Sequence, residues 1–227
     1  MNNIEDYRKS VGRSTSTIFG LQAEGLFGKD VQLAGHPLQS YGAYQVGDIA
    51  YADLNGDNMI NDNDVTDLGQ SFPTTTMGID LSLNYKGFGL YILGTATTGV
   101  TNILSSSYYW NNGLDGYSIL ALDRYHPVNN PTGTQPRLTT TSGANNYRTS
   151  SFWSENGAFF RLKNVELSYT LANKTGKFIG KDFKFFVRGT DLFVLSGIKD
   201  LDPERMLSGL TNYPTYRTIT GGISINF

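Results

Sequence analysis

Oxygen-bearing side chains crowd the stretch DLNGDNMINDND, Asp53 to Asp64. With Asp53 as position 1 of a calcium-loop register, Asp53, Asn55, Asp57, Asn61 and Asp64 fall at positions 1, 3, 5, 9 and 12. The carboxylates of Asp53, Asp57 and Asp64, the amide oxygen of Asn55 and the main-chain carbonyl of Met59 at position 7 are then the candidate ligands of one hard cation, calcium. Two places depart from that register: Asn58 stands where the loop usually has glycine, and Asp64 where it usually has a bidentate glutamate. The alternative is an acidic, Asx-rich turn satisfied by water and backbone. No flanking pair of amphipathic helices is legible, so a calcium-driven opening switch has nothing to move. Calcium here would stiffen a loop.

A second group is aromatic. Tyr108, Tyr109 and Trp110 lie in SSYYWNNGLDGY, where rings beside amides suit stacking on a sugar, contact with a partner, or anchoring of their own loop. Catalytic groupings are weak. His36 and His126 are the only histidines, each precedes a proline in a separate stretch, and no metalloprotease or nucleophile-elbow motif joins them. The chain is not expected to be an enzyme.

The elements that would position these groups are β-strands. The chain has 227 residues and a net charge of -2, which gives no reason to expect a nucleic-acid partner. Gly 26, Tyr 14 and Phe 13 accompany only 17% charged residues, a mixture suited to a β protein with long loops. With Cys 0, disulfide staples and thiol chemistry are ruled out and the redox compartment stays open. No apolar run reaches the roughly 18 residues of a membrane-spanning helix, and MNNIEDYRKSVGRS has no secretory apolar core. Barrel strands need only about 10 alternating residues and remain compatible with that.

Residues 1–72 read as a polar, Gly-rich loop region with fragments of strand. From 73 onward the pattern changes. In TMGIDLSLNY, Met77, Ile79, Leu81, Leu83 and Tyr85 share one face, Lys86 and Gly87 reverse the chain, and FGLYILGTAT begins a second strand. A long irregular stretch over 98–155 follows. Alternation returns in FFRLKNVELSYTL, imperfect at first and clean from Val165, then in DFKFFVRGTDLFVL, and last in YRTITGGISINF, where Ile219, Ile223, Ile225 and Phe227 share one parity. Long and short connections alternate, which gathers long loops at one end of the strands, as in outer-membrane barrels.

Four separated motifs, GDIAYADLNGDNMINDNDVTDLGQSFPTTTMGIDLSLNYKGFGLYI, DRYHPVNNPTGTQPRL, NNYRTSSFWSENGAFFRLKNVELSYTL and YPTYRTITGGISINF, resemble in order and spacing the C-terminal part of SusC/RagA-type TonB-dependent outer-membrane transporters. The resemblance implies an all-β chain, an antiparallel transmembrane β-barrel segment with long extracellular loops, located in the cell outer membrane. Residues 1–72 would form an extracellular loop region and residues 73–227 the C-terminal strands of a large, incomplete barrel. It also implies import of glycans or peptides, with TonB, a SusD-like surface lipoprotein and outer-membrane lipid as partners. Phe227 would serve as an aromatic insertion signal. About five strong strands fall short of the roughly 22 that enclose a plugged lumen, so the upstream barrel and plug would be missing partners and this chain alone would not transport. The alternative is a secreted or surface β-rich carbohydrate-binding module stabilised by calcium, which would hide the Ile219, Ile223 and Ile225 face in its own core.

Overall fold

The computed structural model describes residues 6–111, 113, 116–139, 143–172, 182–205, 213 and 215–226. Among them the strands run β1 (Thr17–Leu21), β2 (Ala23–Leu26), β3 (Leu38–Gln39), β4 (Ile49–Tyr51), β5 (Met59–Ile60), β6 (Val65–Gln70), β7 (Thr75–Tyr85), β8 (Phe88–Thr98), β9 (Thr101–Ile103), β10 (Ser154–Asn156), β11 (Phe159–Ala172), β12 (Asp182–Ser196) and β13 (Thr218–Asn226). The chain forms two compact units: Met1–Phe72 with Val100–Asn156 and Arg205–Asn212, and Pro73–Gly99 with Gly157–Glu204 and Tyr213–Phe227.

The first unit is built from two-stranded sheets: β1 with β6, β2 with β4, β9 with β10, all antiparallel, and β3 with β5 in parallel. Strands of two to six residues have little intrinsic stability, so burial of side chains between them must supply it. Ile49, Ala50 and Tyr51 fill β4 as a continuous buried run, and Leu21, Leu26, Phe27, Ile60 and Trp153 are among the residues buried with them. The long stretch 98–155 therefore carries β9, β10 and two 3-10 turns at Ile119–Asp123 and Ser151–Trp153, rather than only loop.

The second unit is one five-stranded antiparallel sheet in the order β13-β12-β11-β8-β7. Strands β7 and β8 meet in a two-residue hairpin in which Lys86 (φ 47) and Gly87 (φ 89) both adopt left-handed conformations, the twist a tight hairpin requires. The registers sort side chains onto two faces. Met77, Ile79, Leu81 and Leu83 of β7, Ile92 and Leu90 of β8, Val165, Leu167 and Tyr169 of β11, Phe185 and Val187 of β12, and Ile219 and Ile223 of β13 lie on one. Asp80, Tyr91, Glu166, Arg188 and Thr220 lie on the other.

The imperfect alternation at the start of β11 has a local cause. Against β8, Leu162 faces Gly94 and Asn164 faces Leu93, so Lys163 is an extra residue in a bulge. Inserting one residue exchanges the two faces, which puts Phe160 and Leu162 in phase with Val165 and Leu167 despite their opposite numerical parity.

The expectation of a transmembrane β-barrel segment is corrected. The sheets are small and open: β7 and β13 form the two edges of the five-stranded sheet and do not pair, and no closed barrel exists among the described residues. A barrel closes only when its edge strands meet with matched tilt and stagger, and these edges lie at opposite ends of the strand order. The transmembrane-strand assignment, and the reading of the chain as the barrel portion of an importer, fall with it. Among the described residues no helix is long and apolar enough to cross a membrane, a statement that does not bear on strands. The apolar face is not hidden either: Ile219, Ile223 and Ile225 are 77%, 62% and 45% exposed.

Candidate functional site

The 53–64 loop leaves β4 and re-enters the first unit through β5. Its geometry is set by side chains that accept backbone N–H groups. Asp53 Oδ1 accepts from Gly56 at 2.7 Å and Oδ2 from Asn58 at 2.8 Å; Asn55 Oδ1 accepts from Asp57 at 2.9 Å; Asp57 Oδ1 accepts from Met59 at 2.8 Å. Asp64, 0% exposed, closes the loop by accepting from Leu54 through Oδ1 at 2.9 Å and from Asn61 through Oδ2 at 2.8 Å. Asn58 at position 6 has φ 61, so asparagine supplies the left-handed turn for which glycine is usual. Ile60 is fully buried and ties the loop to the core through β5.

The donors suit a hard cation in type, since all are oxygens, although Asp64 Oδ1 already accepts from both Leu54 N–H and Asn55 N–H. The carboxylates are not gathered, however: among the described residues no three acidic or histidine side chains stand close enough together to hold a metal ion. The Met59 carbonyl accepts from Asn61 Nδ2 at 3.1 Å. The loop as it stands is a backbone-satisfied Asx turn whose ligand oxygens would have to draw inward around an ion.

Beside it lies a buried polar network that strand periodicity does not reveal. Asp48 and Asn146 are each 1% exposed, and Asn146 Nδ2 donates to Asp48 Oδ1 at 2.8 Å while its Oδ1 accepts from Ile49 N–H at 2.9 Å. Arg137 Nη2 donates to Asp48 Oδ2 at 3.1 Å. Gln39 donates to the Asn145 side chain at 2.7 Å and accepts from Tyr51 N–H at 2.7 Å, and Tyr51 Oη donates to the Asn145 carbonyl at 2.7 Å. Buried amides and carboxylates are tolerated only when satisfied in this way. The adjacent asparagines at 145 and 146, followed by Tyr147, are the one sequence signal that could have pointed here.

Tyr108, Tyr109 and Trp110 are drawn inward. Tyr109 is buried with the Tyr108 ring edge-on at 5.1 Å, and Trp110 lies 5.6 Å from Tyr147 and 6.4 Å from Trp153. They anchor their loop more than they display rings. His36 contacts Glu24 Oε2 at 3.2 Å, while His126 Nδ1 accepts from Asn129 N–H at 3.0 Å, so the two histidines serve different loops. Phe227 lies outside the described residues.

On the polar face of the sheet, Glu166 accepts from Lys184 Nζ at 2.6 Å and Arg188 Nε at 2.9 Å. Arg161, 4% exposed, pairs with Asp202 and, at 3.0 Å, with Glu204, which also receives Lys163 at 2.8 Å. Every acid in this cluster has a cation beside it, an arrangement that locks strands and neutralises charge.

No protein-family model matches the chain. TonB-dependent receptor P26 of Formosa agariphila is 30% identical over 235 residues, covering 97% of this chain and 23% of that protein. TonB-dependent receptor P3 of the same organism is 25% identical over 194 residues, covering 78% of this chain and 19% of that protein. Among solved structures, the RagAB peptide importer in its open-open state aligns over 95% of this chain and 24% of its own, with TM-score 0.66 and 18% identity. The RagAB peptide transporter aligns over 91% and 22%, with TM-score 0.64 and 19% identity, a likeness of fold. The chain spans about a quarter or less of the length of these relatives.

Proposed function

We propose that this chain, which has family-level homology to SusC/RagA-type TonB-dependent transporters over a fragment of their length, acts as a non-catalytic, β-rich binding module at the cell surface, stiffened by calcium. The supporting observation is the first unit, where a satisfied buried network and the Asp53–Asp64 loop hold short strands in one arrangement. Calcium would be held by Asp53, Asn55, Asp57, Asp64 and the Met59 carbonyl. Its chemistry there is cross-linking: it would tie the start of the loop to its end and lower the loop's freedom in solvent.

The family-level homology supports an outer-membrane location. The bare apolar face of the five-stranded sheet is consistent with cover by outer-membrane lipid, because an apolar patch this extensive is not left to water. At the level of the family, a SusD-like surface lipoprotein and TonB are the proposed partners and a glycan or peptide the proposed cargo.

The test is calorimetric titration of calcium into the detergent-held chain after chelator treatment, followed by tryptophan-fluorescence titration with oligosaccharide and peptide mixtures. Saturable calcium binding and a calcium-dependent fluorescence change with either mixture are expected. A chain that takes neither calcium nor either ligand class, while its near-ultraviolet spectrum reports a folded core, overturns the proposal.

A further inference from the structure

Within the loop, Asn55 is followed by Gly56, and both are exposed. An Asn-Gly pair is chemically labile because glycine lets its main-chain nitrogen approach the side-chain amide carbon of the asparagine and close a five-membered imide. That closure has three requirements: the nitrogen must lose its proton, the amide oxygen must bear developing negative charge, and the amide nitrogen must leave as ammonia. The chain supplies a group for each of the first two.

We propose that Asn55 is a site of self-promoted deamidation. The Gly56 N–H points at Asp53 Oδ1, 2.7 Å away, so a carboxylate stands ready to take the proton from the attacking nitrogen. Asn55 Oδ1 accepts from Asp57 N–H at 2.9 Å, a donor aimed at the oxygen on which charge develops. Asn55 Nδ2 donates to Asp57 Oδ2 at 3.0 Å, which fixes the plane of the amide presented for attack. Nothing beyond its chain neighbours lies within 4 Å of where a Gly56 side chain would sit, so no distant group crowds the turn.

The atoms balance as follows. Gly56 N passes its proton to Asp53 and forms a bond to Asn55 Cγ; the tetrahedral carbon then expels Nδ2, which takes the proton from Asp53 and departs as ammonia. Water opens the imide at either carbonyl, leaving an aspartyl or an isoaspartyl residue at position 55 and the Asp53 carboxylate restored. No oxidant, reductant or cofactor is consumed.

The chain contains its own comparison. Asn156 also precedes a glycine, yet it lies in β10 and pairs with Thr101 of β9, where extended ladder geometry holds the chain away from ring closure.

The experiment incubates the full chain, without added metal, at neutral pH and physiological temperature, with and without urea, and follows peptide masses and isoaspartyl content over weeks. Position 55 is expected to deamidate several-fold faster in the native chain than in urea, and faster than position 156 in the native chain. The variant Asp53→Asn, which keeps the shape and removes the base, is expected to slow the native rate about tenfold, a modest share of what a positioned general base contributes. A native rate equal to or below the rate in urea overturns the proposal, as does an unchanged rate in Asp53→Asn with an unchanged near-ultraviolet spectrum. Should that variant disturb the loop, the comparison of native with urea-unfolded chain decides alone.

Discussion

Asn146 donates its side-chain N–H to Asp48 at 2.8 Å although 98 positions separate them, and both side chains are sealed from solvent. The same amide accepts from Ile49 N–H, so one side chain satisfies a buried charge and a strand terminus together. Asn146→Ala leaves both groups short of a partner in a place water cannot reach. A loss of about 2 to 4 kcal/mol is expected, since each buried polar group left unmet costs on the order of 1 to 3 kcal/mol. The urea midpoint of the transition followed by tryptophan fluorescence measures it, Trp153 being bonded to the Asn146 carbonyl at 2.7 Å.

Calcium dependence should be lost on substitution at position 57. Asp57 Oδ1 already accepts from Met59 N–H and Oδ2 from Asn55 Nδ2, so Asp57→Ala removes a proposed ligand and two turn contacts. Calorimetric calcium binding and calcium protection of the loop from protease should both vanish, whereas Asp62→Ala, outside the ligand set, should retain both. Unchanged binding in Asp57→Ala would sink the metal assignment.

Alkali should loosen the first unit before it affects the sheet. Burial pushes the Tyr147 hydroxyl up from 10.0 to about 12, and burial likewise raises Tyr51. A group raised on folding favours the folded state fully below its unfolded value and loses that contribution as pH climbs to its folded value. The window for Tyr147 is therefore about 10 to about 12. Tyrosinate absorbance and tryptophan fluorescence should change together across it. Tyr147→Phe, which cannot ionise, should narrow the alkaline loss and also give up the hydrogen bond from Tyr147 Oη to the Asn111 carbonyl at 2.5 Å.

The hairpin between β7 and β8 offers a gain. Lys86 holds φ 47, a conformation that side chains with a Cβ resist and asparagine tolerates best. Lys86→Asn should stabilise the sheet unit by about 0.5 kcal/mol, the relief of left-handed strain less the lost cation contact over the Tyr85 ring. Thermal denaturation in a fixed detergent measures it, and a lowered transition temperature would contradict the strain argument.

Alternation at Met77 to Tyr85 and the Lys86–Gly87 reversal made the first hairpin legible, because a half-apolar strand writes its face into every second residue. Strand β13 was legible for the same reason. The segment 98–155 was not, since its position is held by single amides such as Asn145 and Asn146, whose partners at Gln39, Asp48 and Ile49 lie far back in the chain. The 53–64 loop was legible as a spacing of oxygens. That Asn58 would take the left-handed turn, and that the oxygens would be held by backbone N–H groups without converging, required the structure. The transmembrane barrel-segment reading was misjudged because alternation describes a strand's two faces and is silent on what its edges meet.

Lys163 makes β11 behave as two half-strands spliced out of phase. A designer editing this strand needs two lookup rules, even-numbered positions for the apolar side before the splice and odd-numbered positions after it. Removing the spliced residue would leave no cavity to fill, yet it would rotate one half against the other. Arg161 would be carried off its acids and onto the oily side, or else Val165, Leu167 and Tyr169 would be turned among charges.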